Sequence, residues 1–225
     1  MPQISSPYQA SDTRSIILET AGRIFARNGF RGTTVRQITR EAGVNIAAIN
    51  YHFHDKQELY VRVLQQAHQA AARTAHADLA GTPQKRLRVF IRGFLDHLLD
   101  PKRPEWHGRL IAREMAEPSP ALDRLVAESI LPVKKRLMGI IRDLLGHGAN
   151  EVPMRRIASS ILGQCLFYVH CREMIKRLFP TEPRDIDALA DHVFHFSIGG
   201  ITALRREISS QAPTKKRPTP KAQKK

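Results

Sequence analysis

Apolar residues recur at intervals of three and four along most of the 225-residue chain, the period of helices with one buried face. No alternating run of β-branched residues closed by a hairpin turn interrupts them. Ile17, Ala21, Ile24 and Phe25 form the stripe of a first helix, expected over residues 11–28, and Gly29 supplies a left-handed stop. Thr34 begins a capping box with Gln37, and the short helix it starts ends at Gly43. Asn45 can cap a third helix through Phe53. Asp55 caps a long fourth one, expected to run to about residue 79.

Beyond Gly81-Thr82-Pro83 the same period predicts helices over residues 83–99, with Leu87, Phe90, Ile91, Phe94 and Leu95 inward, and 106–116. Residues 122–145 read as one helix, kinked or broken at Pro132. Residues 154–178 and 186–208 read as the last two. The fold class is therefore all-α, with about nine helices. Residues 1–10 and the tail 209–225, which has no large apolar residue near its end, are expected to be disordered.

Charge narrows the partner. The formal net charge is +15 and the pI near 10.5, which points to a polyanion. Lys215, Lys216, Arg217, Lys221, Lys224 and Lys225 place about six of those charges in the tail, and the body stays basic by roughly nine. No secretory signal opens the chain and no apolar run approaches the ~18 residues of a membrane span, so a cytoplasmic location is expected. Cys165 and Cys171, read as lying on one helix and facing different ways, are not expected to form a disulfide.

The two short helices on either side of Gly43-Val44 have the length and punctuation of a helix-turn-helix. On a wheel of 100° per residue Ile46, Ile49 and Phe53 fall together, leaving Asn45, Ala47, Ala48, Tyr51 and His52 over the remaining surface. Small Ala side chains let a helix approach base edges and offer methyl contact to thymine, and Asn can pair two edges of adenine. Tyr51, His52 and Lys56 have the reach to hold phosphates.

These residues carry a resemblance. The run from Ile17 to Leu59, with Phe25, Gly29-Phe30, Thr33-Thr34-Val35, Ile38, Ala42-Gly43-Val44, Tyr51-His52-Phe53 and Lys56, resembles the N-terminal DNA-binding domain of the TetR family of bacterial repressors. The remainder, centred on GRLIAREMAEPSPALDRLVAESILPVKKRLMGIIRDLLG, is similar to the C-terminal domain of the CecR-like subgroup. The resemblance implies a DNA-binding domain over residues 11–54 and a ligand-binding and dimerisation domain over 55–208. It implies a homodimer reading a palindromic double-stranded operator and released by an unidentified small-molecule effector.

Carried onto this sequence, it makes Thr34 and Arg36 phosphate contacts and Asn45, Ala47 and Ala48 base readers. Asn50, Tyr51, His52 and Lys56 become further groove or phosphate contacts, and Ile46 moves to the groove-facing edge. Asn50 departs from the family, which usually carries Tyr at that position. By the same analogy the effector pocket draws on Phe90, Phe94, His97, Trp106, Leu110, Arg113, Met138, Ile141, Gln164 and Tyr168. The dimer bundle draws on Ile157, Ile161, Tyr168, Leu189, Phe196, Gly200 and Leu204.

Catalysis has little to stand on. His192 and His195 have no acid or thiol at matching spacing, and a packing stripe of Val193, Phe194 and Phe196 accounts for their segment. His170 beside Cys171 lacks any nucleophile elbow, and no phosphate-cradling loop or HExxH occurs. No cofactor, metal or membrane partner is expected. The second functional reading is an architectural or division-control DNA-binding protein on the same fold, without a small ligand.

Overall fold

A computed structural model describes residues 7–76, 80–146, 150–181 and 185–211. The described residues form α1 (Pro7–Asn28), α2 (Val35–Ala42), α3 (Ile46–Phe53), α4 (Lys56–His76), α5 (Pro83–Leu99) and α6 (Glu105–Ala116). Then follow α7 (Leu122–Leu125), a π-helical turn (Val126–Ile130), α8 (Leu131–Leu145), α9 (Glu151–His170), α10 (Arg172–Leu178) and α11 (Ile186–Gln211). No strand occurs among the described residues. The expected disorder of the tail lies outside them, except that α11 continues to Gln211; at the other end, α1 begins at Pro7, inside the stretch expected to be disordered.

One expected break takes a definite form, and one boundary differs from the periodic reading. Pro132 does break the 122–145 helix, and the break takes the form of a widened turn in which the Leu131 N–H donates to the Val126 carbonyl, five residues back. Such a bulge relieves the clash that a proline ring makes with the carbonyl four residues earlier. The helix expected over 154–178 is two, because Cys171 leaves helical geometry (φ −96°, ψ 14°). Cys171 is thus half-buried at a break rather than on one helix with buried Cys165, and both thiols are free. Burial pushes the Cys165 thiol up to about 12.

The apolar stripes close over two cores. One joins α5, α8, α9 and α11 through Leu87, Phe90, Ile91, Leu137, Ile141, Ile161 and Val193. The other joins α1, α2, α3 and α4 through Ile17, Phe25, Ile38, Ile49, Phe53 and Leu64, and continues into α6 and α7 through Trp106, Leu110 and Leu125. The functional division expected at residue 54 is therefore no division of the packing. The first three helices rest on the first half of α4 and on α6, with α7 in the same core, and α5, α8, α9 and α11 form a second body.

Candidate nucleic-acid interface

The α2–turn–α3 unit is built from local hydrogen bonds. The Thr34 hydroxyl accepts from the Gln37 N–H at 3.2 Å, satisfying one free donor of the first turn of α2. Gly43 ends α2 with φ 67°, a left-handed conformation that a side chain would strain, and the Val44 N–H donates to the Thr39 carbonyl at 3.0 Å. Asn45 then caps α3, its side-chain oxygen accepting from the Ala47 N–H at 2.5 Å. Ile49 and Phe53 are buried in the first core, and the Arg14 guanidinium lies 5.4 Å from the centre of the Phe53 ring.

With those two anchors fixed, the outer face of α3 is set. Asn45, Ala47 and Asn50 are exposed, Tyr51 is 79% exposed, and His52 is half-buried with its ring edge-to-face on Tyr51 at 4.8 Å. Ile46 is 46% exposed, so it stands at the edge of this face and not with Ile49 and Phe53 as the wheel alone suggests. Ala48 is half-buried against the first core, which turns it away from the outer face on which a base reader is expected. Thr34 and Arg36 are exposed beside the face.

Lys56 does something the sequence did not announce. Its ammonium donates to the carbonyls of Phe30 and Thr33, both at 2.9 Å, and sits 4.3 Å from the centre of the Phe30 ring. Two of its three donors thus form a staple that ties the α1–α2 loop to the start of α4. His54, between α3 and α4, has φ 67° and ψ −60°, and the Asp55 N–H donates to the Phe53 carbonyl at 2.7 Å. This is a tight three-residue turn, strained for any L side chain.

Sequence reasoning also passed over Arg31 and Arg40. Both are exposed like Arg36 and make no ion pair among the described residues, whereas Arg27 is held by Glu41 at 3.0 Å. The signal was present: Arg36 and Arg40 stand four apart and share one side of α2.

The residues expected to line an effector pocket do not converge. Phe90, Phe94, Met138 and Ile141 are buried in the second core, with Phe90 and Phe94 stacked at 6.0 Å. Gln164 turns back to the Ser160 carbonyl on its own helix. Trp106, Leu110 and Arg113 face the opposite way, into the first core and α1. The Trp106 indole N–H donates to Glu19 at 2.9 Å, and its ring lies so close to Gly22 that a Cβ there would stand 2.5 Å from it. Arg113 donates to the Arg27 carbonyl at 3.1 Å. Beside them the Tyr60 hydroxyl donates to the buried Glu114 carboxylate at 2.7 Å, and the other Glu114 oxygen accepts from the Ser119 N–H and hydroxyl. Burial, reinforced by Glu114, raises the Tyr60 phenol far above its ordinary value. This contact locks α6 onto α4, against which the DNA-binding helices pack.

A cavity of about 590 Å³ opens elsewhere, between the end of α5, the α9–α10 break and the start of α11. Tyr168 is the one expected pocket residue that lines it, beside Leu99, Ile175, Leu189 and His192, with Arg172 and Lys176 as its cationic groups. Of the expected dimer residues, Ile157 and Ile161 are buried within their own chain and cannot meet a second copy. Leu189 and Tyr168 are half-buried, while Phe196, Gly200 and Leu204 form an exposed line along α11, with Phe196 68% exposed. Phe196 is thus not part of the packing stripe that holds Val193 and Phe194. Among the described residues no group of three or more His, Cys, Asp or Glu is placed to hold a metal ion, and no helix is long and apolar enough to cross a membrane.

The comparison with known families now has a geometry to meet. Residues 17–63 match the model of bacterial regulatory proteins of the TetR family, and residues 83–201 match the C-terminal domain of the HTH-type transcriptional dual regulator CecR. The chain belongs to the TetR family, with a CecR-type C-terminal domain. It is a DNA-binding transcriptional regulator and not an enzyme. Among relatives of this TetR-family chain, the HTH-type transcriptional repressor NicS of Pseudomonas putida is 25% identical over 208 residues, 88% of this chain and 95% of NicS. The repressor AcnR of Corynebacterium efficiens is 36% identical over 95 residues, 42% of this chain and 45% of AcnR. Solved structures share the fold. A putative transcriptional regulator from Pseudomonas aeruginosa PAO1 aligns with TM-score 0.63 at 21% identity over 87% of this chain and 93% of that one. The hemolysin II transcriptional regulator HlyIIR aligns with TM-score 0.58 at 21% identity over 81% of this chain and 97% of that one.

Proposed function

We propose that this regulator is a homodimeric repressor that reads a palindromic operator through α3 and is released by a small-molecule effector. The observation that carries the reading is the division of α3: Ile49 and Phe53 fix it from inside, while Asn45, Ala47, Asn50 and Tyr51 stand clear on the outside. Asn45 and Asn50 offer paired donors and acceptors to base edges, and Ala47 leaves room for close approach. Thr34, Tyr51 and His52, with the free guanidinium groups of Arg31, Arg36 and Arg40, suit the phosphates on either side. Repression accords with the naming of NicS and AcnR as repressors.

Two helices support the dimer. α11 leaves Phe196, Gly200 and Leu204 uncovered, and α9 leaves Ser159, Ser160, Gly163 and Phe167 uncovered. Small residues flanked by aromatic ones allow close helix approach, as a four-helix bundle between two copies requires. A two-fold dimer of such heads meets a two-fold operator.

The effector reading draws on the cavity at the α9–α10 break, whose volume falls in the range of small-molecule sites. The alternative, a DNA-binding protein with no ligand, draws on the tight packing around Phe90, Phe94, Met138 and Ile141. Selection of duplexes from a randomised library by the full-length protein tests the first part. A palindromic motif is expected, with Asn45→Ala and Asn50→Ala each changing preference at defined positions; an unchanged motif in both variants overturns the base-reading role. Light scattering at micromolar protein tests the second, and a monomer there overturns the dimer.

A further inference from the structure

Where α4, α5 and α6 meet, four nitrogen-bearing side chains converge that the DNA-binding reading leaves unused. His68 lies on α4, His97 near the end of α5, Arg103 in the turn after it, and His107 on α6. Each has a buried nitrogen without a protein partner: His68 Nδ1, His97 Nε2, Arg103 Nε and His107 Nε2. Arg103 is otherwise held only by the Ala67 carbonyl, at 2.8 Å. Buried polar atoms almost always find a partner, so four orphans in one place point to something that partners them.

The charges decide its sign. The Arg103 cation acts on all three imidazoles, and His97 feels His68 and His107 as well. The Asp100 carboxylate opposes this, on His97 and on Arg103 itself. A metal cation would meet that guanidinium directly, and the histidines are not grouped as a metal needs. An oxyanion meets a donor fork in Arg103 and imidazole N–H groups around it.

We propose that His68, His97, Arg103 and His107 form a binding site for a carboxylate or phosphate group at the junction of α4, α5 and α6. The site is separate from the cavity at the α9–α10 break, whose lining includes none of these four residues, and it rests on the effector reading for its regulatory meaning alone: the anion bound here is the one that releases DNA. The location suits that role, because α4 begins at the Lys56 staple under the DNA-binding helices and α6 carries Trp106 onto α1. Binding takes up protons. Burial first, and then Arg103, holds each of the three imidazoles down at about 4, and a bound anion favours their charged forms. Affinity therefore rises as pH falls from neutrality.

The chain supplies its own reporter. Trp106, its one tryptophan, has its ring centre 4.1 Å from that of His107, and an imidazolium quenches indole fluorescence. The experiment titrates the full-length protein with succinate, inorganic phosphate and, as the control, chloride at matched ionic strength, between pH 7.5 and 5. Emission of Trp106 and operator binding are followed together. Saturable quenching by succinate or phosphate, but not chloride, is expected, tightening as pH falls; whichever works names the source. Arg103→Gln should weaken it roughly tenfold or more, and Arg103→Lys, which keeps the charge if the first variant unfolds, should retain part. Equal response to chloride, or an unchanged response in Arg103→Gln, overturns the site. Anion binding without loss of operator binding leaves the site standing and overturns its effector role. Release of DNA by another compound, unaffected in Arg103→Gln, leaves the effector reading standing and overturns the effector role of this site.

Discussion

The two bodies of this regulator are stabilised by different means. Around α2 and α3, each only eight residues long, order comes from caps, a left-handed glycine and the Lys56 staple. Helices that short are unstable alone, and directional bonds hold them at one angle. The second body relies on long helices whose apolar stripes fill a core, and its polar contacts are mainly surface ion pairs such as Arg86–Asp143 and Arg88–Asp191. Such pairs add little. The proposed base-reading surface needs a fixed orientation, which hydrogen bonds provide; the proposed uptake of a ligand and a second copy by the other body is compatible with non-directional packing.

That contrast can be broken from either side. The largest effect belongs to the second core. Phe90→Ala should cost about 3–5 kcal/mol in urea unfolding, while the protein that remains folded keeps its operator motif. Lys56→Met comes next, at about 1.5–3 kcal/mol, since it leaves the Phe30 and Thr33 carbonyls without their donor. Its DNA affinity should fall while the slope of log K against log salt stays put. A slope reduced by about one would return Lys56 to the phosphates and dissolve the contrast.

Acid should find the junction of α4, α5 and α6 first. The folded state holds His68, His97 and His107 at about 4 against an ordinary 6.5, so the unfolded chain binds more protons between those values. Stability is full above pH 6.5 and declines as pH falls towards 4. Urea midpoints at pH 7.5, 6 and 5 should show the decline, and His97→Asn should flatten it; a midpoint constant to pH 5 would refute the burial argument. Smaller still, Thr34→Ala should cost about 1 kcal/mol, with Thr34→Ser recovering most of it. Tyr51→Phe should change stability by less than about 0.5 kcal/mol yet weaken operator binding, which a band-shift titration measures.

Legibility followed the same contrast. The caps at Thr34 and Asn45 and the stop at Gly43 act within five residues, so the sequence displayed them in full. The Lys56 staple was hidden because its acceptors lie 26 and 23 residues away. Trp106 and Arg113 looked like pocket walls because a wheel shows that a helix has a buried face, but not which neighbour covers it. Ile157 and Ile161 were misjudged for that reason, being turned inward on α9 and not towards a second copy. The α9–α10 break at Cys171 carries neither Gly nor Pro within the sequence around it, so no local rule marks it.

The threading of the chain through its two cores bears on how such regulators can be recombined. The core beneath the DNA-binding helices takes residues from Ile17 to Ala67 and again from Trp106 to Leu125, and α5, which lies between, belongs to the other core. A single crossover between two family members, wherever it falls, leaves one of these cores composed of two lineages or transfers both together. If the outer face of α3 reads the operator as proposed, new specificity is acquired more readily by substitution there than by exchanging heads.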